Sequence, residues 1–209
     1  MAQKDYRTIK DFATDQFIER KSRFIGYIAP VSTEEEAQAF VARISKEHRD
    51  ATHNVYAYVL RKDNISRCSD NGEPQGTAGV PTLDVLLKEG LTDVCCVVTR
   101  YFGGTLLGTG GLVRAYSHAA KIAVDAAQIM NMTTCATVMV ECSYSFYGKL
   151  TYMLPDYNVL VKDTSFTDTV TLTLQMKESG REAFEKALTE ASNGQVESIL
   201  IETFFGDLS

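Results

Sequence analysis

The chain has 209 residues, of which 44% are apolar and 23% are charged, so it has the composition of a globular protein with room for one large domain or two small ones. The net charge of −6 comes from the second part of the chain, because residues 1–130 carry 16 Lys+Arg and 16 Asp+Glu, whereas residues 131–209 carry 5 and 11. An acidic surface repels phosphate backbones, so residues 131–209 are a poor candidate for a nucleic-acid footprint.

The cysteines and the hydropathy pattern predict the compartment. Five cysteines are an odd number and show no C-x-x-C spacing, which favours a reduced protein in the cytoplasm. The N-terminus shows no basic-then-apolar leader, and no apolar run has membrane-spanning length. We therefore expect a soluble cytoplasmic protein without a membrane partner.

The first 130 residues read as one α+β domain. The Ser32-x-x-Glu35 spacing of a capping box predicts a helix to about His48, and Pro81 is well placed as the first residue of another helix. The apolar run at 93–101 predicts a central strand covered on both faces. Strands are expected at about 5–10, 14–20, 22–29, 54–61 and 93–101, helices at 32–48, 81–90 and 110–128, a turn at Lys21-Ser22 and a loop at 62–79.

The remaining residues, 131–209, predict a second domain. Their pattern has the order β-α-β-β-α-β, which is the split βαβ arrangement of ferredoxin-like domains. Strands are expected at 133–142, 158–164, 166–176 and 195–204, helices at 146–154 and 180–192, and a hinge at 131–134.

Two glycine-rich segments, 67–79 and 103–111, hold eight of the chain's fourteen glycines. Clustered glycines indicate unusual backbone dihedrals or close approach to another group. The second segment lacks the lysine of a P-loop and the third glycine of a dinucleotide fingerprint. A strand end, a glycine turn and a helix start remain, and this arrangement favours an anion at the helix N-terminus.

Arg114 supports the anion site. It falls in the first turn of its helix, where the helix dipole disfavours a cation, and no carboxylate follows it at i+3 or i+4. Arg100, at the end of the apolar strand, is predicted to point into the same crevice. The alternative is that the glycines only close tight turns, with Arg114 paired to Asp70 or Glu73.

The other polar residues of the region leave several interpretations open. Asp70 can close an Asx turn, or Asp70 and Glu73 can form an acid/base pair or bind a hard cation. His53 and His118 are read as solvated or hydrogen-bonded histidines that can contribute to a ligand site. Three histidines give no zinc spacing, so no metal, cofactor or catalytic residue is predicted.

These motifs resemble the signature of the IMPACT/YigZ family. The resemblance is carried by SDNGEPQGTAGVP at 69–81, VVTRYFGGTLLGTGGLVRAYSHAA at 97–120, ATHN at 51–54 and KSRFI at 21–25. It implies a first domain, residues 1–130, with the ribosomal-protein second-domain-like α/β sandwich. The second domain, residues 131–209, is similar to the ferredoxin-like domain V of elongation factor G. Asn71 and Gln75 depart from the usual Asp and Ser of the family.

The resemblance also implies a link to translation. Eukaryotic relatives restrain a starvation-activated kinase that phosphorylates an initiation factor, whereas this two-domain plan is similar to the bacterial type, where no such kinase is expected. The first hypothesis is a non-enzymatic translation-associated factor that contacts RNA, the ribosome or a protein partner. Its basic and stacking residues would be Arg20, Lys21, Arg23, Arg61, Lys62, Arg67, Arg100, Arg114, Tyr56, Tyr58 and Tyr101.

The second hypothesis is an enzyme or sensor that binds a nucleotide or another phosphorylated small molecule at the 103–114 glycine turn, and the third is a protein-interaction module. In either of the first two, the candidate ligand-binding residues are Arg67, Ser69, Asp70, Glu73, Gly76, Thr77, Arg100, Tyr101, Gly103, Gly104, Gly108, Gly110, Gly111 and Arg114, with His53 and His118 as contributors.

Overall fold

The computed structural model describes residues 4–208. Two compact units divide the chain: Tyr6–Met130 form the first, and the second contains the residues from Asn131 onward. Both units mix sheets and helices, so the predicted α+β class is confirmed. Within residues 4–208, no helix is long and apolar enough to cross a membrane.

The first unit contains six strands and three helices among its described residues. In chain order they are β1 (Tyr6–Ile9), β2 (Ala13–Glu19), β3 (Ser22–Pro30), α1 (Glu34–Glu47), β4 (His53–Leu60), β5 (Ile65–Ser69), α2 (Gly79–Lys88), β6 (Val94–Tyr101) and α3 (Thr109–Asp125). Five of the strands form a sheet in the order β2-β3-β6-β4-β5, and each neighbouring pair is antiparallel.

Strand β6 lies at the centre of this sheet, as its apolar run predicted. Cys96 and Val98 pack into the core beneath α2 and α3, while Cys95 and Val97 pack into the core beneath α1. Successive side chains of a strand point to opposite faces, so a strand covered by helices on both sides needs an unbroken apolar run.

Four local predictions in this unit were wrong. Thr33, not Ser32, caps α1 by accepting a hydrogen bond from the Glu36 amide at 3.2 Å. The β2–β3 turn is formed by Arg20 and Lys21, both with positive φ, and Ser22 already belongs to β3. The predicted loop at 62–79 contains strand β5, and α2 begins two residues before Pro81.

The second unit has the predicted β-α-β-β-α-β order. Its elements are β7 (Ile129–Cys142), α4 (Tyr144–Met153), β8 (Leu160–Phe166), β9 (Val170–Lys177), α5 (Glu178–Ser192) and β10 (Ser198–Gly206). These strands lie side by side in the antiparallel order β10-β7-β9-β8, with Leu150 of α4 and Phe184 of α5 in the core. The residues of the predicted hinge, 131–134, lie within β7, and the division between the two units falls at Asn131 of that strand.

Candidate functional site

Asp70 holds the backbone of the first glycine segment in place. Its carboxylate accepts hydrogen bonds from the amides of Gly76 at 2.8 Å, Ala78 at 3.0 Å and Gly79 at 2.8 Å, where α2 begins. Burial alone would raise the pKa of Asp70, but these backbone hydrogen bonds outweigh it and hold the pKa below its usual range. Asp70 therefore acts as the cap of α2, because Ala78 at the N-cap has no side-chain acceptor.

We expect Asp70→Ala to lower the free energy of unfolding by about 1–2 kcal/mol at pH 7, because three amides lose their acceptor. A lowered pKa stabilises the fold above the unfolded-state value of about 3.9, and this contribution disappears as the pH falls through the folded-state value. Urea unfolding from pH 7 to pH 3 should therefore show the difference from the parent protein shrinking below about pH 4. Asp84→Ala, at an exposed position of α2, is the control and should change little at any pH.

Glu73 and Arg100 form a buried ion pair on the α2–α3 side of the sheet. Their side chains are only 4% and 5% exposed, and Arg100 Nη1 donates to Glu73 Oε1 at 2.5 Å. Tyr116 of α3 donates to the same oxygen at 2.7 Å. Burial raises the pKa of Tyr116, and the charge of Glu73 raises it further, so the hydroxyl keeps its proton and remains a donor.

The rest of the Arg100 guanidinium is held by aromatic rings and by Ser22. The rings of Phe24 and Phe102 each lie with their centroids 5.4 Å from the guanidinium carbon. Ser22 Oγ lies 3.5 Å from Nη2 and accepts the Gly103 amide at 3.1 Å. Arg100 is therefore fixed in the core by contacts from β3, from Phe102 and from Glu73 of the first glycine segment.

The predicted convergence of Arg100 and Arg114 on one crevice is not found. Arg100 is neutralised by Glu73, and Arg114 lies exposed on α3 and lines a different cavity. The alternative pairing of Arg114 with Asp70 or Glu73 is also not found, because Asp70 binds backbone amides and Glu73 binds Arg100. For the same reason, Asp70 and Glu73 do not form an acid/base pair.

The N-terminus of α3 is open. Gly108 stands at the N-cap with φ of 72° and offers no side-chain acceptor, and the first turn contains no acidic residue. Arg114 Nη1 lies 3.7 Å from the position that a Cβ on Gly110 would occupy, so the guanidinium folds back toward the helix start. Among residues 4–208, Arg114 has no carboxylate within ion-pair distance. A cation thus adds to the positive end of the dipole instead of cancelling it.

Arg114 lines a cavity of about 270 Å³, which we call the arginine cavity. Arg20, at the tip of the β2–β3 turn, and His118 of α3 line it together with Arg114, and Glu19 is its acidic member. The His118 ring packs edge-on against Phe17, 4.5 Å away between centroids. Arg20 Nε lies 3.9 Å from Glu19 Oε1, so the carboxylate balances Arg20, and Arg114 remains as the guanidinium that suits this cavity to an anion. The remaining lining residues are Leu107, Gly111 and Ala115.

A second cavity of about 440 Å³ borders the same helix start, and we call it the glutamate cavity. Glu73, Arg100 and His53 are its ionisable members, and Thr52 and Thr109 add hydroxyl groups. Its apolar lining residues are Pro74, Phe102, Leu106, Leu107 and Leu112. Apolar walls with a few fixed polar groups are typical of small-molecule sites.

Several predicted site residues lie away from both cavities. Tyr101 follows Arg100 on β6 and faces the other side of the sheet. There its hydroxyl forms a hydrogen bond of 2.8 Å with Nδ1 of His48. Arg67 pairs in register with Tyr58, which packs beneath α1 on that same side. Ser69, Gly76 and Thr77 belong to the backbone around the start of α2. Of the proposed basic patch, Arg100 is buried and Arg61 is paired with Asp93 at 2.6 Å.

Sequence reasoning missed the apolar part of the site. Leu106 is 81% exposed, and Phe102 is also exposed, on either side of Gly103 and Gly104. Large apolar side chains inside a glycine-rich surface loop are the one signal that pointed to a binding surface rather than to a turn alone.

Comparisons with known proteins agree on one family. The Impact N-terminal domain matches residues 20–124, and a domain of unknown function, DUF1949, matches residues 140–195. The IMPACT family member YvyE of Bacillus subtilis is 39% identical over 91% of this chain and 88% of that protein. For YigZ of Escherichia coli the identity is 33%, over 88% of this chain and 91% of that protein.

The fold is similar to that of a solved structure. The crystal structure of a hypothetical protein superposes with a TM-score of 0.60 and 30% identity, covering 97% of this chain and 98% of that one. With both domains matched and relatives aligned over most of its length, the chain belongs to the IMPACT family.

Proposed function

We propose that this protein is a non-enzymatic cytoplasmic factor associated with translation, and that its first unit binds the phosphate of a nucleotide, free or within RNA. The observation that carries the proposal is Arg114, an exposed cation at the positive end of α3 with Arg20 beside it in the arginine cavity. A phosphate group would satisfy the open amides of the helix start and the guanidinium of Arg114 at once, with Arg20 beside Glu19 as a further donor.

The arrangement leaves Arg114 available for an added ligand. The helix was expected to hold Arg114 in its first turn, but α3 begins at Thr109, so Arg114 is the sixth residue and only its guanidinium folds back toward the helix start. Arg20, 3.9 Å from Glu19 Oε1, shares with Lys21 a turn with φ of 46° and 67°, a conformation that favours glycine or asparagine. This strained turn brings a second cation to the cavity, which is a pattern expected at binding sites.

The proposal that the protein is not an enzyme is supported by its cysteines. Burial raises the pKa of each of the five thiols, and Cys68, within the first glycine segment, is among them. A nucleophilic cysteine needs the opposite shift. The role in translation is supported by family membership, and the cytoplasmic location by five free thiols.

Ligand binding is tested by thermal shift and calorimetry on the full chain. The ligands, in separate arms, are pyrophosphate, nucleoside monophosphates and a single-stranded oligoribonucleotide, each at about 50 and 200 mM salt. A ligand at 100 times its Kd should add about 2.7 kcal/mol to the free energy of unfolding. Binding of free nucleotides supports a sensor, and binding of the oligoribonucleotide alone supports contact with RNA. If no arm raises Tm, the proposal is wrong.

Arg114→Glu gives this proposal a test that separates folding from binding. We expect the free energy of unfolding of the ligand-free variant to stay within about 0.5 kcal/mol of the parent value, because Arg114 is an exposed surface residue past the first turn of α3. The same variant should lose the Tm shift produced by pyrophosphate. Arg49→Glu makes the same charge change at an exposed residue just after α1 and should keep that shift. A variant that retains the full shift would show that Arg114 does not bind the anion.

A further inference from the structure

We infer that the glutamate cavity holds the base of the bound nucleotide and selects a base with two neighbouring N–H donors, as guanine has at N1 and its 2-amino group. This inference rests on the proposed function, which places the phosphate at the start of α3. It adds the class of nucleotide, which neither the family nor the phosphate site specifies.

The first acceptor in the cavity is Glu73 Oε2. Arg100 and Tyr116 both donate to the other oxygen, Oε1, and Oε2 accepts no hydrogen bond from residues 4–208. Arg100 Nε is the one side-chain nitrogen or oxygen atom in that range that is buried from solvent and has no hydrogen-bond partner. Glu73 Oε2 therefore touches open space, and the space that Glu73 lines is the glutamate cavity. A buried carboxylate oxygen without a donor gains most from a ligand N–H.

The second acceptor is His53 Nε2. The His53 Nδ1 atom lies 2.8 Å from the carbonyl oxygen of Asn71, which can only accept, so Nδ1 carries the proton. In the neutral ring, Nε2 then has a free lone pair. Its distance of 3.8 Å from Glu73 Oε1 is too long for a hydrogen bond, so it does not donate to Glu73. Because His53 also lines the cavity, two acceptors lie next to each other there.

Two adjacent acceptors discriminate among the bases. Guanine presents N1–H and an amino group side by side. Adenine and cytosine present an amino group next to an unprotonated ring nitrogen, whose lone pair would face one of the acceptors. Uracil presents one N–H between two carbonyl oxygens. Guanine is therefore the base whose hydrogen-bonding edge matches Glu73 and His53 without repulsion.

The remaining lining fits a planar ring joined to a phosphate. Phe102, Leu106 and Leu112 provide apolar surfaces on which a base can stack. Gly108 lines the glutamate cavity and Gly111 lines the arginine cavity, and Leu107 borders both. Three helical residues span roughly 4.5 Å, so one nucleotide can place its base and its phosphate on the two sides of the same helix start.

The test compares ligands on the unmodified full chain by calorimetry. We expect guanosine 5′-monophosphate to bind at least about tenfold more tightly than inosine 5′-monophosphate, which lacks the 2-amino group. Uridine and adenosine 5′-monophosphates should bind more weakly still. Equal affinities for the guanosine and inosine nucleotides overturn the inference. If pyrophosphate binds and no nucleotide binds better than pyrophosphate, the inference alone is wrong. If pyrophosphate also fails, the proposed function is wrong as well.

His53→Phe tests the same inference from the protein side. Phenylalanine keeps an aromatic ring at this position and removes the acceptor at Nε2. We expect the preference for guanosine over inosine 5′-monophosphate to fall to less than about threefold, while the Tm shift produced by pyrophosphate remains. An unchanged preference would show that His53 does not contact the base.

Discussion

Replacing Glu73 with glutamine should lower the free energy of unfolding by about 3–5 kcal/mol, a large part of the stability of most domains. The substitution keeps the size of the side chain and removes only its charge. The Arg100 guanidinium, 5% exposed, would then stay in the core without a counter-charge. Removing one partner of a buried pair costs far more than the pair itself contributes, because the remaining charge has lost its hydration.

Urea unfolding measures this effect, and the chain offers a matched control. Glu178 pairs with Arg181 at 2.8 Å near the start of α5, but both side chains are partly exposed. We expect Glu178→Gln to cost less than about 1 kcal/mol, because solvent screens the pair. The double variant Glu73→Gln, Arg100→Met should recover much of the loss, since no buried charge remains. Equal costs for Glu73→Gln and Glu178→Gln would contradict the burial argument.

The strands and helices with strong periodicity were predictable from the sequence. The apolar run of β6 predicted a strand that is covered on both faces. The apolar stripe of α3 predicted a helix that packs on a sheet, and its residues Leu112, Tyr116, Ala119 and Ala123 lie in the core. Strand β5 was missed because ISRCS is polar and lies at the sheet edge, where β4 is its one partner strand among residues 4–208. Pairing with β4 holds these residues in a strand, and a local sequence pattern does not reveal such pairing.

The candidate site was predictable only in part. The open start of α3 and the unbalanced charge of Arg114 follow from neighbouring residues, so the sequence contained them. The Glu73–Arg100 pair depends on how β6 and the first glycine segment meet in three dimensions, and its members lie 27 residues apart. Sequence reasoning therefore assigned both arginines to one anion site, although a carboxylate from the chain itself already neutralised one of them.

The same pairing explains how one helix start can serve two cavities. Glu73 neutralises Arg100, so the glutamate cavity offers acceptors for a neutral ring, whereas Arg114 leaves the arginine cavity positive. A ligand with an uncharged head and an anionic end suits this division better than a simple anion does. The separation arises because Glu73 neutralises Arg100, which Ser22 and two aromatic rings hold in the core.

Gly103→Ala should lower the free energy of unfolding by about 3 kcal/mol, because the new methyl group would collide with backbone rather than with a side chain. A Cβ at this position would lie 2.0 Å from the carbonyl carbon and oxygen of Lys21 and 2.4 Å from the Ser22 amide nitrogen. To make room, the β2–β3 turn would have to move away from the end of β6. The hydrogen bond from the Gly103 amide to Ser22 Oγ would then break, which loosens the Arg100 guanidinium and displaces Arg20.

Gly148→Ala is the opposite case and serves as the control. Gly148 lies inside α4, and no atom lies within 4 Å of the position of its added Cβ. Alanine there should raise the free energy of unfolding by about 0.5–1 kcal/mol, since glycine loses more backbone entropy in a helix. Opposite signs for the two variants in urea unfolding are expected. A neutral Gly103→Ala would mean that the turn tolerates displacement, and Arg20 would then have no fixed place in the arginine cavity.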